Sequence, residues 1–156
     1  MIVWLEKSLV LAIHDRQLAE HGGSPGVRDE TLLESVLARP QQLLAYGDPT
    51  PDLANLAASL AFGLARNHPF VDGNKRTAYV AYRTFLVMNQ VELIATDEDK
   101  YLTMLVLAEG KLSEKDFAAW LRAHLQASTR NQLHESRGAY KVHAKKPARK
   151  KARGVS

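Results

Sequence analysis

Three observations predict an all-α fold. Apolar residues recur with a period of about 3.6 along nearly the whole chain. The clearest run is Leu53, Leu56, Ala57, Leu60, Ala61 and Leu64, one continuous face of a helix. Helix starts and stops fall between the periodic runs, with Ser/Thr-x-x-Asp at Thr96 and Ser113 and a Gly22-Gly23 stop after the first run. A length of 156 residues suits one domain with a single core.

The elements follow in order. Ile2 to Trp4 reads as a short edge strand. Leu5, Leu9, Ala12 and Ile13 lie at helical spacing, and Gly22-Gly23 close that helix. GGSPG is turn chemistry. Asp29 is placed as the N-cap of a second helix, which should end before Pro40, because proline disfavours helical geometry in the residue before it. A separate short helix is expected from Pro40 toward Ala45. Residues 46–52, YGDPTPD, hold two prolines and a glycine and cannot be helix interior. The strong stripe from Leu53 follows, and its small residues Ala57, Ala58, Ala61 and Gly63 would let a neighbour approach closely. A loop from Asn67 to Gly73 leads to a helix over about 74–88, with Ala78, Ala81, Tyr82, Phe85 and Leu86 toward the core. Val91 to Ile94 reads as an extended link. Helices over about 97–108 and 114–126 complete the domain, separated by Gly110.

Past Gln126 the periodicity fails. The division is therefore a domain of residues 1–126 and a tail of residues 127–156, expected to be disordered because it has so little apolar surface to bury. The net charge of +4 hides a split between the two. The tail carries +8 and the domain −4. Such a tail either contacts nucleic acid nonspecifically, through phosphate neutralisation, or stays solvated and inert. Apart from Tyr140 it lacks aromatics for base stacking. The chain has no cysteine, which removes disulfides, thiolate metal sites and thiol catalysis. The N-terminus lacks the marks of a signal peptide or a membrane span, so the expected location is the cytoplasm. There is no HExxH, no Cys/His cluster and no GxxxxGK[ST], so zinc-protease and P-loop chemistry are set aside.

The chemistry is concentrated in residues 68–77, HPFVDGNKRT. The Gly73-Asn74 step lies where a helix begins and presents free N–H groups, a natural seat for anions. Lys75 and Arg76 in the first turn oppose the helix dipole, and a bound polyphosphate would account for them. Arg offers a planar fork and Lys a point charge; the plainer alternative is a solvated helix face. Asp72 is placed either as a Mg²⁺ ligand or as a cap of the following turn. His68 is a candidate general base, or a cap on the preceding helix. Gly73 permits a tight turn and close approach to phosphates. Asn74 orients phosphate oxygens or the loop itself. Phe70 anchors the loop. His14 and Asp15, adjacent on a helix, do not share a face, and a structural role is expected for them.

The run resembles the Fic/Doc signature, His-x-Phe-x-Asp/Glu-Gly/Ala-Asn. Its ending, Asn74, Lys75, Arg76, Thr77 and Ala78, resembles the Doc branch, the death-on-curing toxins of bacterial toxin–antitoxin pairs. The wider Fic pattern has Gly where Lys75 stands and a second Arg where Tyr79 stands. HDRQLAEHGGSPGVRD and ARPQQLLAYGDPTPDL are also similar to Doc. The resemblance implies a Fic-like helical bundle with a short flap before the motif helix pair. That flap, which would dock an extended target peptide, falls on Tyr46, Gly47, Asp48, Pro49 and Thr50, with a plain connecting loop as the alternative. It further implies ATP and Mg²⁺, with His68 as catalytic base, Gly73, Asn74, Lys75 and Arg76 on the phosphates, and Asp72 on the metal. The Doc branch moves the γ-phosphoryl group to a protein Ser or Thr; the implied target is elongation factor Tu, and the implied partner a small antitoxin. The alternatives are AMP transfer on the same fold, and a non-catalytic protein that binds antitoxin or nucleic acid.

Overall fold

The computed structural model describes residues 1–128. Six helices and two short strands follow one another as α1 (Lys7–His21), α2 (Glu30–Tyr46), α3 (Leu53–Asn67), α4 (Asn74–Met88), β1 (Val91–Leu93), α5 (Asp97–Ala108), α6 (Glu114–His124) and β2 (Leu125–Ala127). The fold is all-α with one small two-stranded antiparallel sheet, whose strands are separated in the chain by α5 and α6.

α3 is the axis of the molecule. Beyond the expected stripe it also buries Ala54, Ala58, Ser59, Gly63 and Ala65, so it is enclosed on nearly every side. Its small residues make this possible. A side chain at Gly63 would meet Val36 Cγ1 at 2.7 Å, so the glycine is what lets α2 lie so close. α4, α2 and α6 pack around α3, and Leu56, Leu60, Leu64, Phe85 and Leu121 are sealed between them. Full burial of each such side chain contributes roughly 1.5–3 kcal/mol.

The caps are local and fall where expected. Asp29 accepts from Leu32 N–H, Thr96 from Asp99 N–H and Ser113 from Asp116 N–H. Asp52 and Asn55 form a reciprocal capping box at the start of α3. Arg122 of α6 then grips the Asp52 carboxylate at 2.6 and 3.1 Å.

The structure corrects three expectations. Pro40 does not end a helix; it lies inside α2, which runs unbroken to Tyr46. The lost N–H bond costs about 3 kcal/mol in a free helix. Here Pro40 is buried beside Trp4, Leu5, Leu56, Leu60 and Phe85, and α2 is anchored before it by Leu33 and Val36 and after it by Leu43 and Leu44. Ile2–Trp4 forms no strand and pairs with none among the described residues. Instead the Asn89 side-chain amide accepts from Val3 N–H at 2.8 Å and donates to Val3 O at 2.9 Å. Finally, the last expected helix stops at His124, and Leu125–Ala127 turns back as β2, antiparallel to β1 with Val91 opposite Ala127. Ser128 N–H continues that pairing to Gln90 O. The disorder expected of the tail concerns residues that, beyond Ser128, lie outside those described. No helix among the described residues is long and apolar enough to cross a membrane.

Candidate active site

The motif occupies the joint between α3 and α4. α3 ends at Asn67, and His68 takes the left-handed conformation as its C-cap, with φ 54° and ψ 58°. A left-handed non-glycine residue is strained, so something must hold it. Pro69 and Phe70 then turn into the core, and the buried Phe70 ring is stacked face to face on His14 at 3.8 Å. Gly73, also left-handed at φ 76°, reverses the chain into α4. A Cβ there would press on Leu18 at 3.3 Å, so this position needs glycine for both conformation and space.

Asn74 closes the loop. Its Oδ1 accepts from Phe70 N–H at 2.9 Å and its Nδ2 donates to Phe70 O at 3.0 Å. The side chain thus spends both ends of its amide on one residue of the loop. The first-turn N–H groups of α4 have no intrahelical acceptor, and no acidic side chain stands in that turn. Lys75 is exposed there, with no carboxylate pairing with it among the described residues. Arg76 folds back, with Nη2 donating to Gly22 O at 3.0 Å, while its Nε is buried with no partner among the described residues.

The other half of the support is the segment between α1 and α2. It runs antiparallel to the motif, with Val27 opposite Phe70. Val71 N–H reaches Gly26 O at 3.0 Å, and Arg28 and Asp29 N–H both reach Pro69 O. Ser24 N–H donates to Asp72 Oδ2 at 3.1 Å, while Gly73 N–H donates to Oδ1 at 2.8 Å. These two backbone donors, Ser24 first, hold the Asp72 carboxyl below its ordinary pKa, with lesser help from the nearby Arg76 and His14. The buried His14 donates Nε2–H to the Asp72 main-chain oxygen at 2.8 Å, so its role is structural.

Together these elements form a cleft of about 460 Å³ that brings His68, Asp72, Gly73, Asn74, Lys75 and Arg76 to one place, walled by Ala65 of α3, by Ala108 at the end of α5 and by its C-cap Glu109. The arrangement presents an exposed imidazole across from a helix N-terminus bearing two cations. Asp72 is exposed and ionised, and each of its oxygens accepts one N–H, which leaves a lone pair on each for a hard cation. No group of three or more His, Cys, Asp or Glu suited to a metal occurs among the described residues. A Mg²⁺ ion here would therefore take one carboxylate and complete its shell from phosphate oxygens and water. That is a usual pattern for this ion, and the residues fit it.

The expected flap does not reach this cleft. Tyr46 to Thr50 precede the N-terminal end of α3, whereas His68 closes its C-terminal end. Fifteen residues at about 1.5 Å each separate the two by about 22 Å. Adjacency in the chain misled, because a helix carries its two ends apart. The segment that actually edges the motif is Gly22–Arg28. Its outward side is open at Val27, whose own N–H and C=O point away from Phe70 in this kind of pairing and meet no partner among the described residues. Ser24 and Arg28 went unremarked in the sequence. The only signal was a Gly-rich turn ending in an Arg just before a capping Asp.

A sequence model of the Fic/DOC family matches residues 4–86, which include the whole loop, α3 and α4 up to Leu86. The "Toxin Doc" of Mycolicibacterium smegmatis is 51% identical over 74 residues, 47% of this chain and 57% of that protein. The chain thus matches little more than half the length of that relative. The "Protein kinase doc" of Escherichia phage P1 is 35% identical over 113 residues, 72% of this chain and 88% of that protein. With the signature residues gathered on one cleft and the match spanning more than half of its length, the chain belongs to the Fic/DOC family.

Proposed function

We propose that the chain is a Doc-type toxin that moves the γ-phosphoryl group of ATP to a Ser or Thr hydroxyl of a translation factor, elongation factor Tu. The observation that carries this reading is the exposed His68 imidazole facing the cation-bearing N-terminus of α4 across one cleft. The phosphates of ATP lie against the free N–H groups of α4, Lys75 and Arg76, which stabilise negative charge on the oxygens. Asp72 is the ligand for Mg²⁺, which supplies charge neutralisation at the phosphates when bound. His68 accepts the hydroxyl proton as that oxygen attacks the γ-phosphorus. A new O–P bond forms, the bond to the β-phosphate oxygen breaks, and ADP leaves with the electron pair.

Phosphoryl rather than AMP transfer is supported by Lys75 and Tyr79, which stand where the wider Fic pattern has Gly and a second Arg. Tyr79 packs on Tyr82 and under the Arg83 guanidinium and does not line the cleft, so position 79 adds no cation to Lys75 and Arg76. The relative named a protein kinase supports the same choice. The target strand docks along Gly22–Arg28 by adding to the open edge at Val27, in place of the flap expected at residues 46–50. A small antitoxin partner follows from the toxin class. The +8 tail supports nonspecific nucleic-acid contact.

The test is incubation of the protein with elongation factor Tu and ATP labelled at either the α or the γ phosphate. Label transferred from γ alone is expected. Transfer of α label would replace the kinase with an AMP transferase, and no transfer would leave a binding protein.

A further inference from the structure

We infer that Arg28, on the segment between α1 and α2, is a positioning residue that fixes the orientation of His68. Three consecutive carbonyls flank or belong to that histidine, and Arg28 holds all three. Its Nη2 donates to Asn67 O at 2.9 Å, its Nε to His68 O at 2.6 Å and its backbone N–H to Pro69 O at 2.8 Å. The first two are orphan carbonyls at the C-terminal end of α3, where the helix dipole also favours a cation. The strained conformation at His68 therefore has an identified cause of persistence: the planar fork spans two carbonyl oxygens from two nitrogens in a fixed geometry, which the single, freely rotating ammonium of a lysine does not reproduce.

The His68 side chain has no hydrogen bond to another described residue, and it is exposed. With no hydrogen bond of its own among the described residues, the direction of the imidazole depends on the backbone that carries it. The phosphate-binding half of the cleft is anchored differently, Asn74 by Phe70 and Arg76 by Gly22. Loss of Arg28 should therefore release the base while leaving the ATP seat in place. Since Arg28 is itself exposed, its replacement does not open the core.

This inference rests on the reading of His68 as a base, and the experiment separates the two. Transfer rates and KM for ATP are measured for the wild type, Arg28→Lys, Arg28→Ala, His68→Ala and the double variant Arg28→Ala/His68→Ala. Arg28→Ala should lower kcat on the order of 10²-fold, as for a misplaced catalytic group, with KM for ATP within about twofold. Arg28→Lys should remain substantially impaired although it keeps the charge. In the His68→Ala background the loss of Arg28 should have no further effect on rate. A purely structural Arg28 would instead lower the rate in both backgrounds or raise KM as well. In parallel, the order of the His68 amide is read by NMR relaxation and should fall in Arg28→Ala below the level of ordered backbone. If the wild type transfers no phosphoryl group, the kinase reading fails while the NMR comparison still decides the clamp. Unchanged order at residue 68, or equal kcat in wild type and Arg28→Ala, would overturn the inference.

Discussion

Asn74 offers the sharpest separation of loop architecture from ligand binding. The sequence allows its amide to serve either phosphate or loop, and in the structure both ends meet Phe70. Asn74→Ala removes two hydrogen bonds and strands one N–H and one carbonyl. Each stranded buried group costs about 1–3 kcal/mol. These bonds are only part-buried, so water recovers some of the loss, and a total of about 2 kcal/mol is expected. For a domain of this size about 3–5 °C of Tm accompanies each kcal/mol, which puts the fall at about 6–10 °C. Turnover should drop on the order of 10²-fold, because the unmoored turn carries His68 and Asp72 on one side and α4 on the other.

ATP affinity in Asn74→Ala should stay close to wild type, since Lys75, Arg76 and the α4 N–H groups remain. Asn74→Asp completes the test. Its carboxylate can still accept from Phe70 N–H but faces Phe70 O with an acceptor, so about half of the stability loss should persist. It also brings a negative charge beside the two cations, and there ATP affinity should weaken. Thermal melts and calorimetric titration with ATP measure both quantities on the same samples. An unchanged Tm in Asn74→Ala combined with a lost ATP affinity would refute the reasoning, and would assign the amide to phosphate.

Three further outcomes follow from the same geometry. His68→Gly should abolish transfer yet raise stability by about 1 kcal/mol, since glycine occupies the left-handed region without the steric penalty of φ 54°; a lower Tm than wild type would show that the turn is unstrained. Tyr82→Phe should raise Tm by about 3–5 °C, because the buried hydroxyl has no partner among the described residues and burial pushes its pKa up strongly; a fall would reveal a hydrogen bond to bound water. Asp52 has its folded pKa held below the ordinary 3.8, first by Arg122 and then by the Asn55 N–H, against the opposing effect of partial burial. Its contribution is therefore fully present above the unfolded value and is lost as pH falls through the folded one. Below about pH 4 the stability advantage of wild type over Asp52→Asn should shrink, as acid unfolding curves of the two proteins would record; a constant gap down to pH 2 would contradict the ion-pair assignment.

What could be read in the chain divides along the distance over which each cause acts. Caps at Asp29, Thr96 and Ser113 act over three residues, and the stripe in α3 over one helix, so pattern alone locates them. Pro40 fails the same test because its local cost is offset by neighbours from α3, α4 and the N-terminal segment, none of them nearby in sequence. β2 fails because Leu125 continues an apolar pattern as well in a helix as in a strand, and only pairing with β1 decides. The site shows the same division within a single function. Its acids, bases and cations lie within ten residues because one tight turn between two helices can present them all. The groups that hold that turn come from far away: Arg28 acts across 40 positions, Ser24 across 48 and His14 across 58. A loop with two left-handed residues cannot support itself, since its backbone donors and acceptors are turned away from helical partners. It needs a second segment to meet them, and the antiparallel run from Gly22 to Asp29 does so. The same run leaves its outer edge at Val27 open. If the motif acts as proposed, the segment that stiffens this turn also offers an open strand edge beside the cleft, and a target added there would couple where the hydroxyl arrives to how His68 is aimed.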